Sequence, residues 1–96
     1  MDELKGIVED MWDEVEGAEH YAGKAAHAKG IDSARMNTYA DMARQELSHF
    51  DALHKVGIKW AQEHPDHTEA KTIWNWELDK LLHRTAKVRN MLEWLK

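Results

Sequence analysis

The sequence predicts an all-α fold: a long antiparallel helical hairpin followed by a third helix. Three observations carry this. Apolar residues recur at three- and four-residue steps over long stretches, and no window alternates strictly between apolar and polar. One proline and five glycines leave few breaks in 96 residues. The length allows a single domain, residues 1–96, with a modest core.

The first helix is expected from about Asp2 to Lys29. Leu4, Ile7, Val8, Met11, Val15, Ala18, Ala22 and Ala25 form its apolar stripe, and Gly30 is a natural stop. The second begins with Asp32 or Ser33 as N-cap and runs to about His64, because Pro65 cannot continue it. Met36, Tyr39, Ala43, Phe50, Leu53, Gly57 and Ala61 mark its face. Asp66 is expected to cap the third helix, with Glu69 as its capping-box partner. The stripe of that helix is Ile73, Trp74, Leu78, Leu81, Leu82, Val88, Leu92 and Leu95. Short joints make the first two helices an antiparallel hairpin. Helices of roughly 28–32 residues, ~42–48 Å long, leave apolar surface that one further helix cannot cover. A homodimer or higher homo-oligomer is therefore expected.

Composition narrows the function. Thirteen basic against eighteen acidic residues give a net charge of −5. This argues against nucleic acid as the main partner. The absence of cysteine removes disulfides, thiolate metal sites and cysteine nucleophiles. No run is long enough to span a membrane, and the acidic start does not read as a signal peptide, so a cytoplasmic protein is expected. Residues 1–19 carry eight acids and one lysine, a net −7, and the other 77 residues sum to +2. That block is either a solvated helix face or a field that draws in cations. No arrangement suggests a hydrolase triad or a phosphate-binding loop.

The informative residues are charged ones on apolar faces. On the second helix Glu46 has Tyr39, Met42, Ala43, Phe50 and Leu53 within one or two turns, and His49 follows it in a Glu-x-x-His step that shares one face. On the first helix Glu14 is the acid best placed toward the buried side, between Ile7, Met11, Ala18 and Tyr21. Glu16 borders mostly polar neighbours and reads as surface. Glu19 is intermediate, and Glu77 on the third helix has Lys80 and Arg84 within reach. An ionised carboxylate in an apolar setting must be neutralised, paired or bound to metal. No Lys or Arg stands beside Glu14 or Glu46 on its own helix face. Two carboxylates and an imidazole, without sulfur, suit iron, manganese or zinc. Helix bundles build dinuclear sites from such Glu and Glu-x-x-His elements on facing helices.

The first helix reads Glu14-Val15-Glu16-Gly17-Ala18-Glu19-His20-Tyr21, and the second reads Ala43-Arg44-Gln45-Glu46-Leu47-Ser48-His49-Phe50. Over about residues 4–60 this resembles the first hairpin of the ferritin-like di-iron carboxylate superfamily, which includes ferritins, bacterioferritins and rubrerythrins. The chain departs from that pattern in having one hairpin and one Glu-x-x-His. It is thus more similar to encapsulated ferritins, whose chains each supply half a site. The resemblance implies a ferritin-like four-helix bundle completed by dimerisation. Glu14, Glu46 and His49 from two chains would then surround two irons as metal-binding and catalytic residues, with Glu46 bridging. The implied activity is that of a ferroxidase, oxidising Fe(II) with dioxygen or peroxide. Tyr21 and Tyr39, seven residues from a ligand each, either hydrogen-bond the ligands or pack as core tyrosines. The sequence ends at Glu93-Trp94-Leu95-Lys96 without the shell-docking tail of encapsulated ferritins, so an encapsulating shell is not expected.

Trp76 and Trp94 are eighteen residues apart, share a helix side with His83 and point away from the leucine stripe, which suggests a second helix–helix interface. Trp12 and Trp60 read as packing or dimer-contact residues. His20, His27, His54, His64 and His67 look dispersed. The alternative function is a non-enzymatic helical assembly or adaptor protein, of phage or prophage type, that keeps the ferritin-like hairpin as scaffold.

Overall fold

The computed structural model describes residues 2–96, and these form three helices: α1 Asp2–Ala28, α2 Ser33–Glu63 and α3 Thr68–Trp94. No strand occurs among the described residues. The α1–α2 turn is built as the sequence predicts. Gly30 takes φ 79°, a left-handed backbone that costs glycine little. Asp32 is the N-cap of α2, its carboxylate accepting a 3.0 Å hydrogen bond from the Arg35 amide.

The α2–α3 joint differs from expectation. His67, not Asp66, occupies the N-cap of α3, and no side chain caps that end. α2 ends at Glu63 with His64 as its C-cap, and Pro65 and Asp66 form the turn before the helix resumes, which leaves Asp66 outside the cap position. The joint is instead held by rings. His64 stacks on Trp60 with centroids 4.0 Å apart, and its Nδ1 is 2.8 Å from the Trp60 carbonyl oxygen. His67 lies 5.2 Å from His64, so these two histidines are clustered rather than dispersed.

α1 lies at the centre of the packing, with α2 on one side and α3 on the other. The core has two ends. Near the α2–α3 joint it is made of large side chains, among them Met11, Val15, Phe50, Trp60, Trp74 and Leu81. Near the α1–α2 turn it is made of Ala18, Ala22, Ala25, Ala40 and Ala43, closed by Leu47, Val88 and Leu92. Alanines let two helix backbones approach closely. α3 packs at both ends, through Trp74 and Leu81 at the bulky one and Val88 and Leu92 at the other. Ile73 and Leu82, expected in the core, are 42% and 41% exposed. They lie at the margin of the α3 stripe, where Ile73 borders an open groove shared with Leu4, Val8 and Trp12 of α1.

α3 is tied to α1 by polar contacts as well. The Trp12 indole donates to Glu77 at 3.0 Å, and Glu77 also faces Lys80 at 3.7 Å. Arg84 does not join Glu77. Its guanidinium forms a two-pronged pair with Glu19, and it lies over the Trp12 ring at 4.9 Å.

α2 meets α3 chiefly where the Trp74 ring lies on Gly57. A Cβ placed at Gly57 would stand 2.1 Å from that ring. Gly57→Ala is therefore expected to lower stability by about 2 kcal/mol despite the better helix propensity of alanine. Thermal unfolding followed by circular dichroism should show a drop of roughly 10 °C.

Candidate metal centre

The α1–α2 seam carries the three residues singled out by the sequence. Glu14 comes from the middle of α1, and Glu46 and His49 come from one face of α2. One ligand atom from each lies within 4.8 Å of the other two. The antiparallel hairpin produces this meeting. With the turn at residues 29–32, Glu14 and Glu46 stand at nearly equal distances from it, on helices packed side by side.

The seam is less buried than the sequence suggests. Glu14 is 23% exposed at its side chain and His49 is 64% exposed. α3 covers the opposite side of α1, so this side of the hairpin stays open.

The electrostatics are those of an uncompensated carboxylate pair. No Lys or Arg pairs with Glu14 or Glu46 among the described residues, and the nearest counter-group is His49, whose Nδ1 is 3.4 Å from Glu14 Oε2. That Glu14 oxygen is buried and accepts no hydrogen bond from the chain. The Glu46 carboxyl is pushed up from 4.5 to about 7. The largest cause is a hydrogen bond to Glu14, which Glu46 makes only while it holds its proton. Burial and the negative charge of Glu14 act in the same direction, and His49 opposes them.

Gly17 completes the pocket. A Cβ there would stand 3.1 Å from the Glu46 carboxyl carbon and 3.2 Å from Oε2. The glycine thus lets the Glu46 head group lie against the α1 backbone. The sequence shows a small residue three positions after Glu14, but its contact with Glu46 becomes visible only once the helices are paired. One turn further toward the loop, Tyr21 and Tyr39 stack with centroids 6.2 Å apart. They pack against the alanine-rich core, and no hydrogen bond joins either of them to Glu14, Glu46 or His49 among the described residues. Glu16 is exposed, as expected. Glu19 and Glu77 are spoken for by Arg84 and by Trp12 with Lys80.

The donor set fits a divalent cation: two carboxylates and an imidazole, an orphaned buried oxygen, and a local negative charge that nothing cationic neutralises. No known protein family, curated protein or solved structure matches the chain. None of its described helices is long and apolar enough to cross a membrane.

Proposed function

We propose that the chain is a ferritin-like half-site protein whose substrate is Fe(II), bound on the Glu14–Glu46–His49 seam and oxidised there after two copies dimerise seam to seam. The observation that supports this most is the convergence of three donor atoms within 4.8 Å around a carboxylate oxygen that has no other partner. Three donors leave part of an iron coordination sphere open. A second copy related by a two-fold axis supplies three more, giving four Glu and two His for two ions, and covers the exposed seam. Two Fe(II) then deliver two electrons to dioxygen or peroxide. The carboxylates hold the ions close together and stabilise the higher charge of Fe(III). Glu46 loses its proton when it becomes a ligand, so binding is coupled to proton release. Manganese and zinc suit the same donors and serve as probes.

The test is an anaerobic Fe(II) titration followed by addition of oxygen or peroxide, with light scattering to measure mass. The expected result is a dimer or a multiple of it, two Fe(II) per two chains, and growth of Fe(III) absorbance. A stable monomer at micromolar concentration that binds no iron would favour the helical assembly protein instead.

Gly17→Ala provides a finer check. The added methyl pushes the Glu46 carboxylate away from α1 while improving helix propensity. Metal affinity is expected to fall about tenfold with no loss of thermal stability, measured by Mn(II) titration calorimetry of the variant and wild type.

A further inference from the structure

A second interaction surface lies on the side of α1 that faces α3, away from the metal seam. Two features there stay largely open, although Lys29 lies over the Trp94 ring at 4.3 Å and Lys80 pairs with Glu77. The first is the outer face of α3. Trp76 is 67% exposed and Trp94 60% exposed, and Lys80 and Lys87 lie between them on the same side of the helix. Lys80 Nζ sits over the Trp76 ring at 4.6 Å, and Lys87 makes no ion pair among the described residues. The second is a groove of about 450 Å3 between the first halves of α1 and α3, walled by Leu4, Val8, Trp12 and Ile73. Glu9 stands on its rim, and Glu16 continues the rim two turns on. Neither forms an ion pair among the described residues.

We propose that the outer face of α3 docks into the α1–α3 groove of a second copy of this chain. The spacing supports it. Lys80, Lys87 and Trp94 are seven residues apart in series, and so are Glu9, Glu16 and Gly23. Each step is about 10 Å along a helix. Two helices running in the same direction can therefore set Lys80 on Glu9, Lys87 on Glu16 and Trp94 on Gly23 in one register, with the shallow crossing that seven-residue spacing favours. In that register Trp76 falls opposite Lys5, whose side chain lines the same groove. A Cβ at Gly23 would meet nothing within 4 Å, so that position offers open space for the Trp94 indole. Charge selects the partner. Two α3 faces would set lysine against lysine, whereas the acid rim of α1 is their complement. α1 and α3 run parallel within the hairpin-plus-helix chain, so the contact is head-to-tail and closes into a ring when the rotation allows.

The contact uses neither Glu14, Glu46 nor His49, but the expected masses rest on the seam dimer of the proposed function, which Mn(II) titration reads separately. The test is the mass of wild-type protein, K80E/K87E, and K80E/K87E/E9K/E16K by light scattering, with circular dichroism to confirm folding and Mn(II) titration as a separate reading of the seam. Wild type is expected to exceed a dimer. K80E/K87E is expected to fall to the dimer with unchanged Mn(II) per chain, and the fourfold charge swap to restore the larger mass. A wild type no larger than a dimer, a K80E/K87E mass equal to wild type, or a folded fourfold variant that stays small would overturn the proposal. So would loss of binding to anionic phosphatidylserine vesicles in K80E/K87E without any change in mass, which would assign the face to a membrane surface.

Discussion

Glu46→Ala or His49→Ala is expected to reduce the affinity for Mn(II) or Fe(II) by about two orders of magnitude or more, while Glu16→Ala leaves it within about threefold of wild type. The estimate for the ligands exceeds the 10–100-fold typical of residues that only orient a ligand. The contrast with Glu16 is the informative part, because all three changes remove one polar side chain from a helix. Glu46 and His49 belong to the group whose donor atoms lie within 4.8 Å of one another, and Glu16 does not. A general acidic attraction of α1 for cations would instead make Glu16→Ala and Glu46→Ala similar. Titration calorimetry of the four proteins at one pH separates the two cases.

The second large effect is in the metal-free protein. Glu46 titrates at about 7 when folded, against 4.5 in an unfolded chain. Between those values the folded chain keeps a proton that the unfolded chain has lost. Stability must then fall as pH rises through this window, and the stabilising contribution is fully present only below about 4.5. Because the seam is partly open to water, the loss is on the order of 2 kcal/mol rather than the full value of the shift. Denaturant unfolding followed by tryptophan fluorescence should show the metal-free wild type weaker at pH 8 than at pH 5. Glu46→Gln should flatten this difference and be the more stable protein at pH 8. Pairing of two copies on the seam enlarges the effect, since four carboxylates then converge, and the metal-free dimer should loosen as pH rises. Bound metal should cancel the dependence. If wild type and Glu46→Gln follow parallel pH profiles, the Glu14–Glu46 pair is not coupled in solution.

Much of this arrangement was legible in the sequence because helices report themselves locally. The 3.6-residue recurrence of Leu4, Val8, Met11, Val15 and Ala18 sets both the element and its buried side. Gly30 and Asp32 mark a turn whose geometry depends on a few adjacent residues. The candidate site was legible for the same reason: Glu46 and His49 share a face by spacing alone, and the short turn fixes which α1 residues lie opposite.

What escaped depends on how helices pack rather than on whether they form. Spacing places Glu46 on the apolar side, but only the position of α3, on the far side of α1, leaves the seam open and His49 exposed. Of the two basic residues within reach of Glu77, Lys80 pairs with it, whereas Arg84 turns to Glu19 across the α1–α3 contact, which spacing along one helix does not reveal. Ile73 and Leu82 are apolar residues at the margin of a stripe, and periodicity cannot set the width of the covered strip. Trp60, His64 and His67 come together because the chain turns at Pro65.

The central claim is that Glu14, Glu46 and His49 hold a metal. Its most direct test is an anomalous difference map from crystals grown with Mn(II) or Fe(II). The expected result is a peak in coordination contact with a carboxylate oxygen of Glu14, a carboxylate oxygen of Glu46 and a ring nitrogen of His49, with a symmetry-related set from a second copy completing the sphere. A peak elsewhere on the chain, or an empty seam in crystals shown to contain the metal, would contradict it.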